Sequence, residues 1–129
     1  MPSCVLDASA VLAWLFEERG AATVDKVLGV SALSTVNLAE VLYRCDEEGM
    51  LTASIARDLR GLGVSIESFT AEDAHLVEEV RRVGRRVQLR LSLADCCCLA
   101  TGIRLNLPVV GGDQAWERLA LGIDVRPFR

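Results

Sequence analysis

Four acidic residues are of a type, and stand at positions in the sequence, that suit a catalytic or metal-binding site. Asp7 follows a short apolar run, and Asp113 follows a second apolar run and two glycines. Asp95 opens a predicted helix, and Glu40 lies within another. Carboxylates without clustered His or Cys ligands favour a hard, oxygen-seeking cation such as Mg²⁺ or Mn²⁺. Such a cation polarises a phosphoryl oxygen, lowers the pKa of a bound water and orients in-line attack.

Each carboxylate also has a purely structural explanation. Asp7 and Asp113 are placed to cap the helices that follow them, and a Ser-x-x-Asp pattern at Asp95 matches a capping box. Glu40 lies four residues before Arg44, so the two could form an exposed ion pair on one helix face. Considered one at a time, each of these carboxylates could be a helix cap, a member of an ion pair or part of a functional site. The joint pattern favours a shared cation site, because three of the four carboxylates follow or open elements on the ligand-binding side of the sheet predicted below.

The strands and helices that must position these carboxylates alternate along the chain. Apolar runs predict strands at residues 4–6, 32–34, 64–69, 108–110 and 123–125. Capped or amphipathic segments predict helices at residues 9–16, 21–28, 36–48, 52–62, 71–82, 92–105 and 114–120. The alternation predicts an α/β fold with a parallel sheet covered by helices on both faces. Ligands of such sheets bind beyond the carboxyl ends of the strands, where Asp7 and Asp113 are expected.

Composition narrows the classes of function. The 129 residues are 51% hydrophobic, which indicates one folded domain and excludes intrinsic disorder. Thirteen arginines stand against one lysine, Lys26, which argues against enzymes that depend on a well-placed lysine. A net charge of −4 argues against a nucleic-acid protein held by overall charge, though not against a local basic patch beside an acidic site.

The cysteines and the apolar runs bear on metal binding and on the cellular location of the protein. No Cys-x-x-Cys pair and only one histidine, His75, are present, so a zinc site is not expected. We predict that the five cysteines are small buried apolar residues: Cys4, Cys45, Cys96, Cys97 and Cys98. Without a basic leader or a long apolar run, the sequence predicts a cytoplasmic protein that does not enter a membrane.

Four short segments carry the acidic residues: VLDASA at 5–10, VNLAEV at 36–41, LSLADC at 91–96 and VGGDQAW at 110–116. In this order and at these separations they resemble the motifs of PIN-domain ribonucleases, most closely the VapC-type toxins of bacterial toxin–antitoxin pairs. The resemblance implies a PIN-like three-layer α/β/α fold over residues 1–129, with a central, mostly parallel sheet of four to five strands.

The resemblance also implies a site and an activity. It assigns the ligands of a Mg²⁺ or Mn²⁺ site to four acidic residues: Asp7, Glu40, Asp95 and Asp113. It assigns supporting roles beside that site to Ser9 and Asn37. It implies metal-dependent endonucleolytic hydrolysis of RNA by the toxin of a type II toxin–antitoxin system. A homodimer and a cognate VapB-like antitoxin are the implied partners.

One departure from the family pattern keeps an alternative function open. The family usually places Thr or Ser two residues before the last Asp, and Gly111 stands there in this chain. The alternative is a non-catalytic or weakly active PIN-like module that binds RNA or an antitoxin. A phosphotransfer domain is disfavoured, because its families need a lysine after a late strand and Lys26 lies in an early helix.

The densest basic cluster precedes the helix of Asp95. Its five members within ten residues are Arg81, Arg82, Arg85, Arg86 and Arg90. They could bind the phosphates that flank a scissile bond. The alternative is a solvated face paired with Glu78 and Glu79. For Trp14 and Trp116, packing is favoured over base stacking.

Overall fold

Short apolar strands form the centre of the fold. A computed structural model describes residues 1–129, and its strands are β1 (Cys4–Leu6), β2 (Ser31–Ser34), β3 (Ser65–Glu67), β4 (Val109–Gly111) and β5 (Val125–Pro127). Their order in the sheet is β3-β2-β1-β4-β5, and every neighbouring pair is parallel. The predicted α/β class with a parallel sheet is therefore confirmed, with five strands.

The chain order reverses at the centre of this sheet. β2 and β3 extend to one side of β1, and β4 and β5 extend to the other. In the register of β1 and β4, Leu6 lies opposite Val110. The crevice beyond the ends of these two strands is the place where open parallel sheets bind ligands.

Helices cover both faces, which gives the three layers that the sequence led us to expect. They are α1 (Ala8–Leu15), α2 (Ala21–Leu28), α3 (Thr35–Glu47), α4 (Ile55–Gly61), α5 (Ala71–Arg86) and α6 (Leu93–Leu105), with a 3₁₀ helix at Gln114–Arg118. Leu6 belongs to a core shared with α1 to α4, whereas Val5 belongs to one shared with α5, α6 and the 3₁₀ helix. Successive strand residues point to opposite faces, so one short strand supports both cores.

Several element bounds differ from the prediction. β3 is shorter, and β5 begins at Val125 rather than at residue 123. α5 continues to Arg86, so much of the expected arginine-rich connection is helical. Gly84 allows this continuation, because a Cβ there would lie only 2.9 Å from Leu91 Cδ1 and 3.2 Å from the Leu89 carbonyl oxygen. The returning loop packs directly on the helix backbone at that point.

The cysteines are buried and unpaired, as predicted. Burial raises the pKa of the Cys96 thiol to about 11, with a further contribution from the charge of Asp95. Thiols in this state are poor metal ligands, since the thiolate is the coordinating form. No helix combines the length and the apolar character that crossing a bilayer requires.

A buried ion pair ties the start of α5 to the last turn of α6. Arg104 Nε donates to Asp73 Oδ1 at 2.5 Å, and Asp73 is fully buried. The second oxygen of Asp73 accepts a hydrogen bond from the Thr70 amide in a capping box. The hydrogen bond with Asp73 raises the pKa of Arg104. This pair fixes α6, the helix whose first turn carries Asp95.

We expect Arg104→Met to lower the free energy of unfolding by about 3 kcal/mol, because it leaves the buried Asp73 carboxylate unpaired. The estimate lies at the lower end for buried pairs because Arg104 is 17% exposed. Arg82→Met is the matched control, since it removes an exposed i,i+4 pair with Glu78 worth at most about 0.5 kcal/mol. Urea unfolding measures both, and equal losses would show that the buried pair has no special role.

Candidate functional site

One cavity at the carboxyl ends of β1 and β4 collects the predicted site residues. It has a volume of about 300 Å³, and it is lined by all six: Asp7, Ser9, Asn37, Glu40, Asp95 and Asp113. They come from four separate stretches of sequence. Asp7 is buried, Asp95 is half-buried, and Glu40 and Asp113 are exposed. The carboxylates therefore run from the floor of the cavity to its rim.

Asp7 forms the floor and is held by hydrogen bonds from two sides. Its Oδ1 accepts from the Ala10 amide at 2.8 Å, which caps α1. The Ser9 hydroxyl lies 2.8 Å from both carboxylate oxygens, and the Gly112 amide donates to Oδ2 at 3.4 Å. Burial raises the pKa of Asp7, these hydrogen bonds oppose the rise, and the charge of Asp95 adds to it. Asp7 is thus a fixed carboxylate whose charge lacks a cationic partner.

Asp95 and Asp113 are caps and cavity residues at once. Asp95 Oδ2 accepts from the Ser92 amide at 3.0 Å, and the Ser92 hydroxyl accepts from the Asp95 amide. Asp113 Oδ1 accepts from the Ala115 amide at 2.9 Å. In each case only one carboxylate oxygen takes part in capping, and the other accepts no hydrogen bond. The structural and the functional interpretations of these residues are therefore compatible.

Glu40 is paired differently from the simplest expectation. Arg44 forms its ion pair with Glu48 at 3.4 Å, so the exposed Glu40–Arg44 pair does not occur. Glu40 Oε1 instead accepts from Asn37 Nδ2 at 2.8 Å. Asn37 lies three residues before Glu40 on α3 and is buried.

Asn37, which lines the cavity, has one unpaired acceptor. Its Nδ2 also lies 3.3 Å from the Ala94 carbonyl oxygen, which links α3 to the first turn of α6. Its Oδ1 is buried and has no hydrogen-bond partner. An unsatisfied buried acceptor costs about 1–3 kcal/mol, so such an atom calls for an explanation, such as a bound donor or cation.

The donor set fits a hard cation. No three Asp, Glu, His or Cys side chains converge tightly enough to hold a metal ion on their own. Mg²⁺ does not require such convergence, since it keeps several waters and binds through one or two carboxylates. Oxygen-only donors, free carboxylate oxygens and the unpaired Asn37 Oδ1 suit this mode of binding.

Gly111 is explained by a packing contact. A Cβ at this position would lie 2.8 Å from Cζ3 of Trp116 and 3.2 Å from Asp7 Oδ2. Trp116 is 2% exposed and belongs to the core, as expected for packing. Its ring fills the space that a Thr or Ser would need. Ser9 supplies a hydroxyl beside Asp7.

The arginine cluster divides between two surfaces, and none of its members lines the acidic cavity. Arg82 forms an exposed ion pair with Glu78 at 2.9 Å, and Arg86 lies on the same face. The other three, Arg81, Arg85 and Arg90, line a groove of about 410 Å³ that contains no carboxylate. The charge of Arg81 partly opposes the rise in the pKa of the Cys96 thiol.

Sequence reasoning missed one charged residue that lines the cavity, Arg129. It lies two residues beyond the end of β5, just as Asp113 lies two residues beyond the end of β4. The prediction ended the last strand at residue 125, which placed Arg129 away from this edge. A basic residue soon after the final strand was the available signal.

Comparisons with known proteins bear on the family and the fold. The sequence model of the family described as PIN domain matches residues 4–121. No curated protein matches the chain.

Solved structures with a similar fold include a toxin-antitoxin complex from Klebsiella pneumoniae, with 16% identity, 94% of this chain and 95% of that chain covered, and a TM-score of 0.74. DNA-bound VapBC from Salmonella typhimurium has 16% identity, full coverage of both chains and a TM-score of 0.73. FitAcB from Neisseria gonorrhoeae has 19% identity, 97% coverage of each chain and a TM-score of 0.74. At these identities the likeness shows the fold.

We expect Gly111→Thr to lower the free energy of unfolding by about 1–3 kcal/mol, because the new side chain overlaps the Trp116 ring. In a Trp116→Phe background the same change costs less, since the overlapping atoms are removed. Chemical denaturation of the four proteins in this cycle measures the coupling. An identical loss in both backgrounds would mean that Trp116 does not dictate Gly111.

Proposed function

The chain belongs to the PIN domain family, and from this premise we propose that it is a divalent-metal-dependent endoribonuclease, the toxin of a VapBC-type toxin–antitoxin pair. The observation that carries the proposal is the cavity at the reversal of strand order, whose lining includes Asp7, Glu40, Asp95 and Asp113. Its lining contains no His, Cys or Lys. That composition suits oxygen-liganded Mg²⁺ or Mn²⁺ and phosphodiester chemistry.

The proposed roles follow from burial and hydrogen bonding. Asp7 is the principal cation ligand, because its buried charge has the most to gain from one. The free oxygens of Asp95 and Asp113 complete the binding of the cation. A bound Mg²⁺ supplies Lewis acidity, which neutralises phosphodiester charge and eases loss of a proton from attacking water.

The remaining residues orient the site. Ser9 fixes the plane of the Asp7 carboxylate through its contacts with both oxygens. Asn37 holds Glu40 at 2.8 Å, so the other Glu40 oxygen is available to bind the cation or to position the attacking water. Such outer contacts commonly change metal affinity or activity by about 10–100-fold.

We propose the groove of Arg81, Arg85 and Arg90 as a secondary contact for RNA phosphates. The groove contains no carboxylate, and its arginines form no ion pair within the chain. Arginine forks match phosphate geometry. Arg82 and Arg86 have weaker support, because they lie with Glu78 and Glu79.

The proposed partners follow from the structural neighbours. These include VapBC and other toxin-antitoxin complexes, some of them bound to DNA. We therefore propose that this chain, a single PIN domain over residues 1–129, is inhibited by a VapB-like antitoxin, forms a homodimer and acts on RNA in the cytoplasm.

The central test is cleavage of total cellular RNA by the purified protein, with sequencing of the new 5′ ends. We expect defined cleavage sites with Mn²⁺ or Mg²⁺ and none with a chelator. Asp7→Asn should lower the rate by about 100-fold or more, since loss of a ligand costs at least as much as loss of an outer contact. Asp46→Asn, an exposed position on the same helix as Glu40, is the control that should cleave normally.

Circular dichroism establishes that both variants fold. Cleavage that persists in chelator and in Asp7→Asn would overturn the proposal. A folded protein that neither cleaves RNA nor binds Mn²⁺ would support the non-catalytic module that Gly111 left open.

A further inference from the structure

Arg129 is the only basic residue that lines the acidic cavity. The strand order places β5 beside β4, so the chain leaves β5 at the same edge as Asp113. A Cβ on Gly112 would lie 2.7 Å from Ser9 Oγ and 3.3 Å from Arg129 Nη2. The guanidinium and the hydroxyl that holds Asp7 therefore both lie against this one glycine.

The backbone of Arg129 is held in place, and its exposed side chain contacts the Phe128 ring. The preceding Phe128 is 3% exposed and belongs to the core of α1 to α4. Gln114 Nε2 donates to the Arg129 carbonyl oxygen at 3.0 Å. The guanidinium carbon lies 5.0 Å from the centre of the Phe128 ring, within the range of a cation–π contact. These contacts hold the charge near the rim without using its planar fork of donors.

The guanidinium has no carboxylate partner. It forms no ion pair within 4 Å, although four carboxylates line the same cavity. The neighbouring Arg126, by contrast, pairs with Asp124 at 3.3 Å. A guanidinium at the cavity with free donors suits bidentate binding of a phosphate.

The charge balance of the cavity indicates what Arg129 could do there. Four carboxylates repel an RNA backbone, and one divalent cation offsets only half of their formal charge. A cation on the substrate side of the cavity reduces the remaining repulsion. The groove of Arg81, Arg85 and Arg90 does not line the cavity and so cannot act at this point.

We propose that Arg129 binds the RNA phosphate at or next to the scissile bond and sets the register of the strand over Asp7, Asp95 and Asp113. This inference rests on the proposed nuclease function and adds a substrate-positioning residue to it. The role belongs to Arg129 because its charge is unpaired and lies at the cavity that the acidic cluster lines.

The test compares Arg129→Gln and Arg129→Lys with Arg126→Gln, the matched control on β5. In chelator, fluorescence anisotropy of a labelled single-stranded RNA measures affinity against salt. We expect Arg129→Gln to weaken binding about 10-fold or more, the range for a charged hydrogen bond. The slope of log affinity against log salt should fall by about 0.7 for one lost phosphate contact. Arg129→Lys should lie between wild type and Arg129→Gln, because lysine keeps the charge without the fork.

With Mn²⁺, KM for RNA should rise in Arg129→Gln by a similar factor, and the cleavage sites should lose definition. Mn²⁺ affinity without RNA should not weaken, since Arg129 is not a ligand. Unchanged RNA affinity and KM in Arg129→Gln, with normal cleavage by wild type, would overturn the role of Arg129 alone. Weakened Mn²⁺ binding or a large loss of thermal stability in Arg129→Gln would indicate a structural role and also overturn it. Absence of cleavage by wild type would instead refute the proposed nuclease.

Discussion

The burial of the Asp7 carboxylate is the constraint on which the rest of the site depends. Its oxygens accept hydrogen bonds from Ser9 and Ala10 at the start of α1 and from Gly112 beyond β4. One side chain therefore joins the two central strands at the point where the sheet reverses. The position is costly, because removing a charged group from water is unfavourable unless it is paired. Burial accordingly raises the pKa of Asp7, and Asp95 adds to the effect. A cation in the cavity would offset this cost.

Three of the four carboxylates occupy the same kind of local structure. Asp7 caps α1 and Asp113 caps the 3₁₀ helix, while Asp95 forms a capping box at the start of α6. Helix N-termini carry partial positive charge from unpaired amides, so they stabilise carboxylates brought close together. The amides engage one oxygen of Asp95 and one of Asp113 and leave the other free. The same interactions therefore start the elements and orient potential ligands. Glu40 is positioned differently, through Asn37.

Local sequence signals were sufficient to predict most of the strands and helices and to single out the three aspartates. An apolar run followed by an acidic residue identified Asp7 and Asp113, and a capping pattern identified Asp95. The features that the sequence did not reveal depend on contacts between distant segments. The true end of β5 depends on pairing with β4, and it brings Arg129 to the cavity. The extension of α5 depends on Gly84 packing under Leu91, and it divides the arginines between two surfaces. The need for glycine at position 111 depends on the Trp116 ring, which packs against it.

The most direct test of the account is the unfolding free energy of wild type and Asp7→Asn, with and without Mn²⁺, as a function of pH. In chelator near neutral pH, we predict that Asp7→Asn is the more stable protein, because the amide can keep the cap without a buried charge. A raised folded-state pKa means that the wild-type deficit is complete above that pKa and disappears below the ordinary pKa of aspartate. Mn²⁺ should stabilise wild type and have little effect on the variant. A variant that is less stable than wild type at neutral pH in chelator, and that Mn²⁺ stabilises equally, would contradict the account.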